Sequence, residues 1–263
     1  MFKRELKIGF RSFIIWTSIL ISIFLLVFLI YPSIVSSNDL DSLDEMLKMF
    51  PEDLLKAFNM DIASLKSPFG WLKSEGFIFV LLVTSSYSGI LGANILLKEE
   101  SDKTIEYLNS VPVTRLKVVL NKVVCGLLYI AFMVLAIGIF NYIGLKLSGD
   151  FDRKAYVLLS ITPLFPSFVT FGLCLFISTF THKTKNIVGI RLGIVFLSYF
   201  LNIVSEMSES TQFLKYISIF TLADVRNVIL DIKINPLMII ISVVLTLLFI
   251  GLTILRYEKK ELV

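Results

Sequence analysis

Charge is scarce in this chain. Lys and Arg number 25 and Asp and Glu 21 among 263 residues, or 17%, where soluble domains carry about 25%. Too little polar surface remains to clothe an ordinary soluble globule. Histidine is nearly absent, with only His182, and cysteine stops at two, Cys125 and Cys174, with no Cys-x-x-Cys pair. Zinc sites and disulfide frameworks draw on richer sets of ligands, so both cysteines read as packing residues and His182 as a loop residue. The chain has no G-x-x-x-x-G-K-[ST] phosphate loop, no His-Glu-x-x-His and no Gly-x-Ser-x-Gly, which leaves no candidate catalytic or metal-binding residue and no expectation of an enzyme. The net charge of +4 is spread over many short segments. It lacks the concentrated basic face that nucleic acid requires.

What the chain has in abundance is apolar residues, 56% of the total, with a mean hydropathy of +0.83. They fall in blocks of roughly 18 to 25, the length that crosses about 30 Å of hydrocarbon at 1.5 Å per residue. The blocks at 13–35, 76–97, 119–147, 156–180, 187–205 and 237–255 predict six transmembrane helices in one domain over 1–263. The fold class is therefore all-α and polytopic. The first block exceeds the 7 to 15 residues of a typical signal-peptide core, so it reads as a retained helix.

Six spans put both ends of the chain on one side. Basic residues concentrate on the short segments that share that side: Lys3, Arg4, Lys7, Arg11, then Lys98, Lys103, Arg115, Lys117, then Lys183, Lys185, and last Arg256, Lys259, Lys260. The positive-inside rule makes that side the cytoplasm, in a plasma-membrane protein with both ends inside. Residues 2–13 place Phe2, Leu6, Phe10 and Phe13 at helical spacing among Lys3, Arg4, Lys7 and Arg11. That pattern suits either an elbow helix in the headgroup layer or a plain topology signal.

On the outer side, Leu40, Leu43, Met46, Leu47 and Phe50 form one apolar stripe, and Pro51 can open a second short helix carrying Leu54, Leu55 and Phe58. From Glu206 to Pro236, polar residues alternate with Ile217, Ile219, Phe220, Leu222, Val225, Val228 and Ile229. Short amphipathic helices dipping into the outer leaflet are expected there.

The inner segment from Lys98 to Arg115 is the most informative. It starts with Glu99 and Glu100, carries Ile105 and Leu108 three residues apart, and closes with Pro112-Val113-Thr114-Arg115 before Lys117 and Lys122. A short helix there presents one apolar pair to a partner. Its pattern of Glu99, Glu100, Thr104, Glu106, Leu108, Pro112, Val113, Thr114 and Arg115 resembles the coupling region of ABC type-2 exporter permeases, with Lys103 where that family often has glycine. The segments Lys3-Arg4-Glu5-Leu6-Lys7 and Phe50 to Phe58 resemble the same family, so the likeness covers nearly the whole chain.

The resemblance implies two cytosolic ATPase subunits, which bind ATP and Mg, and a second permease, identical or homologous. ATP-driven closure then acts through the coupling segment. It further implies an exporter whose first and fifth helices face the partner permease. Gly189 and Gly193 on the fifth helix, and the pairs Ser85 with Gly89 and Ser88 with Gly92 on the second, suit close helix contacts either between permeases or within one. Candidate pathway residues are the polar or hinge positions Asn94, Asn141, Thr162, Pro163, Pro166, Ser167, Thr170 and Asn202, which interhelical hydrogen bonding explains equally well. Glu75 and Arg191 stand near span ends and the span centres are uncharged, which favours a hydrophobic or amphipathic substrate such as a peptide, drug or lipid-like molecule. An autonomous channel or ion-coupled carrier is the competing reading. It calls for ionisable residues within the helices.

Overall fold

The computed structural model describes residues 2–36, 67–101, 114–181, 187–223 and 225–260. Six helices in it are long and apolar enough to cross a membrane, and no strand occurs among the described residues. The expected stripes around Leu40 to Phe58, the residues Thr104, Ile105, Glu106, Leu108 and Pro112, and His182 lie outside the described residues.

Helix α1 runs from Phe2 to Ser36. The expected elbow segment is thus helical and continuous with the first span. Helix α2, Pro68–Ser101, begins where the Ser67 hydroxyl caps Gly70 N–H at 3.0 Å and proline occupies the first turn, a position where its missing N–H costs nothing. Leu72–Gly76 widens into a π-turn before the α-helix resumes at Phe77. Helix α3 spans Arg115–Ser148, capped by the Thr114 hydroxyl and stopped by Gly149 at φ 147°, a conformation that side chains disfavour.

The fourth span is split. Helix α4, Arg153–Ile161, and helix α5, Leu164–Ser178, meet at Thr162-Pro163. Pro163 cannot donate to the Leu159 carbonyl, and the Thr162 amide at 3.3 Å and hydroxyl at 2.9 Å donate to it instead. Pro166 likewise leaves the Thr162 carbonyl to the Phe165 amide at 3.2 Å. The two prolines therefore break the helix without orphaning its carbonyls. Helix α6 covers Val188–Met207, α7 Val225–Asp231 and α8 Pro236–Lys259.

Between α6 and α7 the chain forms two 3-10 segments, Glu209–Tyr216 and Ile219–Ala223. Short helices were expected here, but most of their apolar residues point inward, with Phe220, Leu222, Ala223 and Val228 buried. Phe213, Tyr216 and Ile217 are the most exposed of the apolar residues described in this stretch. The cause is a serine clasp: Ser218 donates to the Ser198 carbonyl at 2.7 Å and the Ile219 amide donates to the Ser198 hydroxyl at 2.7 Å, which pins the segment onto α6.

Helix α2 is central. Of its most apolar window 67% is buried, against 17% for α1 and 22% for α6 and α8. It packs on α5, α3 and α6, while α1 lies on α3 and α8 on α5. Phe171 of α5 sits where α2 and α3 both carry glycine: a Cβ at Gly92 would overlap the Phe171 carbonyl, and one at Gly126 would stand 2.5 Å from its ring. At the far end of the bundle from the first residues, Phe151 packs on Phe69, Tyr142 and Tyr156 with ring centroids 5.5 to 5.7 Å apart.

Candidate functional site: the charged end of the bundle

The starting turns of α1 and α3 and the closing turns of α2, α5 and α8 share one end of the bundle, and ionic contacts join them. Lys122 of α3 is 2% exposed and donates to Glu99 of α2 at 2.6 Å and to Glu5 of α1 at 3.2 Å. Lys260, just past α8, donates to both carboxylate oxygens of Glu100 at 2.9 Å and to the Thr181 carbonyl at 2.6 Å. Arg115, the first residue of α3, donates to the carbonyls of Tyr257, Glu258 and Lys260 at 3.3, 3.1 and 2.9 Å. Those carbonyls close α8, where Tyr257 also accepts from the Lys260 amide at 3.4 Å, and a cation at that end is favoured by both hydrogen bonding and the helix dipole.

These contacts place the two ends of the stretch from Lys98 to Arg115 within helices. Glu99 and Glu100 belong to the last turn of α2, not to a loop, and each is 5% exposed. They serve as internal anchors, because a buried carboxylate without a cation would be costly. The segment 102–113 thus has two fixed stems: Glu99 and Glu100 on one, Arg115 and Lys122 on the other. Among the elbow residues, Lys3, Arg4, Lys7 and Phe10 are exposed and Leu6 is half-buried. The Tyr129 hydroxyl donates to the Leu6 carbonyl and its ring lies against Gly9, so α1 is docked on α3 by more than charge. The sequence placed Glu5 in a family-like segment and Lys122 and Lys260 among the basic residues, but assigned none of them a partner. The available signals were Glu5 as the single acid in a basic stretch and Lys122 standing inside the apolar block 119–147.

Gly189 and Gly193 are exposed, and a Cβ added at either meets nothing within 4 Å. Gly89 and Gly92 instead pack within the subunit, against Cys174 and Phe171. The expected alternatives are thereby separated: the α2 pairs serve internal packing and the α6 pair lies on an open face.

The pathway candidates occupy several different settings among the described residues. Asn141 and Pro163 line a small apolar cavity with Leu72, Phe77 and Tyr156. Thr162, Pro166, Ser167 and Thr170 are buried among the helices, with Thr170 against Gly89. Asn202 accepts from Thr221 at 3.3 Å. Asn94 accepts from Arg191 at 2.6 Å, joining α2 to α6. Glu75 lies two turns inside α2, deeper than its place before the expected span, because the helix begins at Pro68. A cleft of about 410 Å³ opens between α3 and α4, lined by Leu135, Ile139, Tyr142, Val157 and Ile161. Among the described residues no cluster of His, Cys, Asp or Glu is arranged to hold a metal ion.

This is an all-α polytopic membrane protein whose span ends are bound together around the stems of the segment 102–113. The family model for ABC-2 family transporter proteins matches residues 2–262, and the chain belongs to that family, as a permease component of an ABC transporter. No curated protein and no solved structure matches the chain.

Proposed function

We propose that this permease works with separate cytosolic ATPase subunits, two per complex and each carrying ATP and Mg, and with a second permease, to export a hydrophobic or amphipathic substrate across the plasma membrane. The observation that carries the reading is the anchoring of the segment 102–113. Its stems are joined to each other by Glu99 and Lys122 at 2.6 Å and to the ends of α1 and α8 by the remaining ion pairs and hydrogen bonds. A contact made on that segment is passed to several spans at once, which is what ATP-driven movement requires.

The basic end faces the cytoplasm in this reading, where the ATPases are. The second permease meets the open face of α6, where Gly189 and Gly193 have space beside them and Phe196, Leu197 and Phe200 are exposed, together with exposed residues of α1 such as Ile15, Leu26 and Leu29. The apolar cleft between α3 and α4 and the buried, uncharged span centres suit a substrate with large apolar area.

The test is Ile105→Asp with Leu108→Asp. Burying such side chains in a partner's groove is worth about 1.5 to 3 kcal/mol each, so the pair should loosen or uncouple the ATPase while membrane insertion is retained. ATP hydrolysis and uptake of an amphipathic dye into inside-out vesicles are compared with the unaltered complex. Normal transport in the double variant, or transport by wild-type permease with no ATPase present, would overturn the proposal and favour an autonomous carrier.

A further inference from the structure

The end of α8 lies across both stems of the segment 102–113, and nothing in the sequence pattern of the segment itself calls for it. On one stem, Glu100 is 0% exposed at its side chain and is held by Lys260 through both carboxylate oxygens. On the other, Arg115 holds the carbonyls of Tyr257, Glu258 and Lys260. The same short stretch is fixed from behind: Lys260 donates to the Thr181 carbonyl, and the Arg256 guanidinium stacks 3.9 Å from the centre of the Phe180 ring. Glu99 and Glu100 are consecutive, so their side chains diverge by about 100° around the helix. Glu99 turns toward Lys122 and α1, which leaves Glu100 as the stem's bond to α8.

We propose that residues 256–260 are a strap that presets the spacing and orientation of the two stems, and that Lys260 and Arg115 are positioning residues for ATPase docking. The inference rests on the permease reading and specifies which part of the permease prepares the docking segment. The physical argument is preorganisation. A segment whose two ends are held at fixed separation loses less freedom on binding than one whose ends move independently, so the same contacts yield a tighter complex. Lys260 lies beyond α8, and its charge is shared between a carboxylate and a carbonyl, which explains why a strap forms at a point that carries no membrane-spanning role.

The experiment measures binding of the ATPase subunit that co-purifies with the wild-type permease to permease held in lipid nanodiscs. Lys260→Gln should raise the dissociation constant about tenfold and speed dissociation, and should lower the melting temperature of the permease because it strands the buried Glu100 carboxylate; Lys260→Gln combined with Glu100→Gln should regain the melting temperature while the affinity stays low. Lys260→Arg should restore most of the affinity, since a guanidinium can keep both the carboxylate and the carbonyl contact. Arg115→Gln should act in the same direction. A Lys260→Gln permease that binds within about twofold of wild type, or an affinity loss that Lys260→Arg fails to recover, would overturn the inference. If Lys260→Gln does not insert, Glu100→Gln carries the same test from the opposite partner, with the same expected loss and the same overturning result. Wild-type permease that binds no ATPase subunit would overturn the permease reading itself, and this inference with it.

Discussion

Gly92 of α2 and Phe171 of α5 touch backbone to side: the space a Cβ would need at Gly92 is occupied by the Phe171 carbonyl oxygen. The contact lets the two most buried spans approach closely, and lipid offers apolar side chains no incentive to withdraw, so close packing itself supplies the stabilisation. Gly92→Ala should force α2 and α5 apart and cost about 1 to 3 kcal/mol, as overpacking does. Gly251→Ala on α8, where an added Cβ meets nothing within 4 Å, should leave stability unchanged or raise it. Thermal unfolding of both variants in detergent checks the contrast. Equal melting temperatures would remove the packing argument.

Gly193 is the opposite case. Its surroundings are empty within the subunit, so Gly193→Leu should insert and melt like wild type. A large side chain there holds apart any second helix brought against α6, and the fraction of paired permease in mild detergent should fall. Pairing at the wild-type level would place the partner contact on another face.

Lys122 is flanked by two carboxylates, Glu5 and Glu99, and is 2% exposed. Lys122→Met should leave both acids without their shared cation at a cost of about 3 to 5 kcal/mol, because breaking a buried pair strands charge in a poorly solvated site. Combining it with Glu5→Gln and Glu99→Gln removes the stranded charges and should recover much of the loss. Melting temperatures of the single and triple variants decide it. A triple variant no more stable than Lys122→Met would mean that the lysine acts through packing alone.

Orientation is tested with cysteines at Ser42, Ser210, Ser101 and Thr184. An impermeant thiol reagent on whole cells should label the first two and spare the last two, because basic residues gather on the segments that include Ser101 and Thr184. The native Cys125 and Cys174 are buried and give a low background. Labelling at position 101 would invert the topology.

The sequence by itself determined the six spans and the sharing of one end by the first and last helices, because hydrocarbon thickness demands unbroken apolar runs and an even number of crossings returns the chain to its starting side. It marked Pro163 and Pro166 as hinge positions within one expected span at 156–180, because they lack the donors that a continuous helix needs, and the structure shows that span split at Thr162-Pro163. The partners at the charged end were decided by tertiary structure alone. Glu5 and Lys122 are 117 residues apart and Glu100 and Lys260 are 160 apart. Whether such residues meet depends on how each helix is rotated in the bundle, which hydropathy does not encode. For the same reason the Ser/Gly pairs on α2 and the Gly pair on α6 look alike as sequence, yet one set is filled by Cys174 and Phe171 and the other is open. Spacing places small residues on one face of a helix, and only packing shows what that face meets.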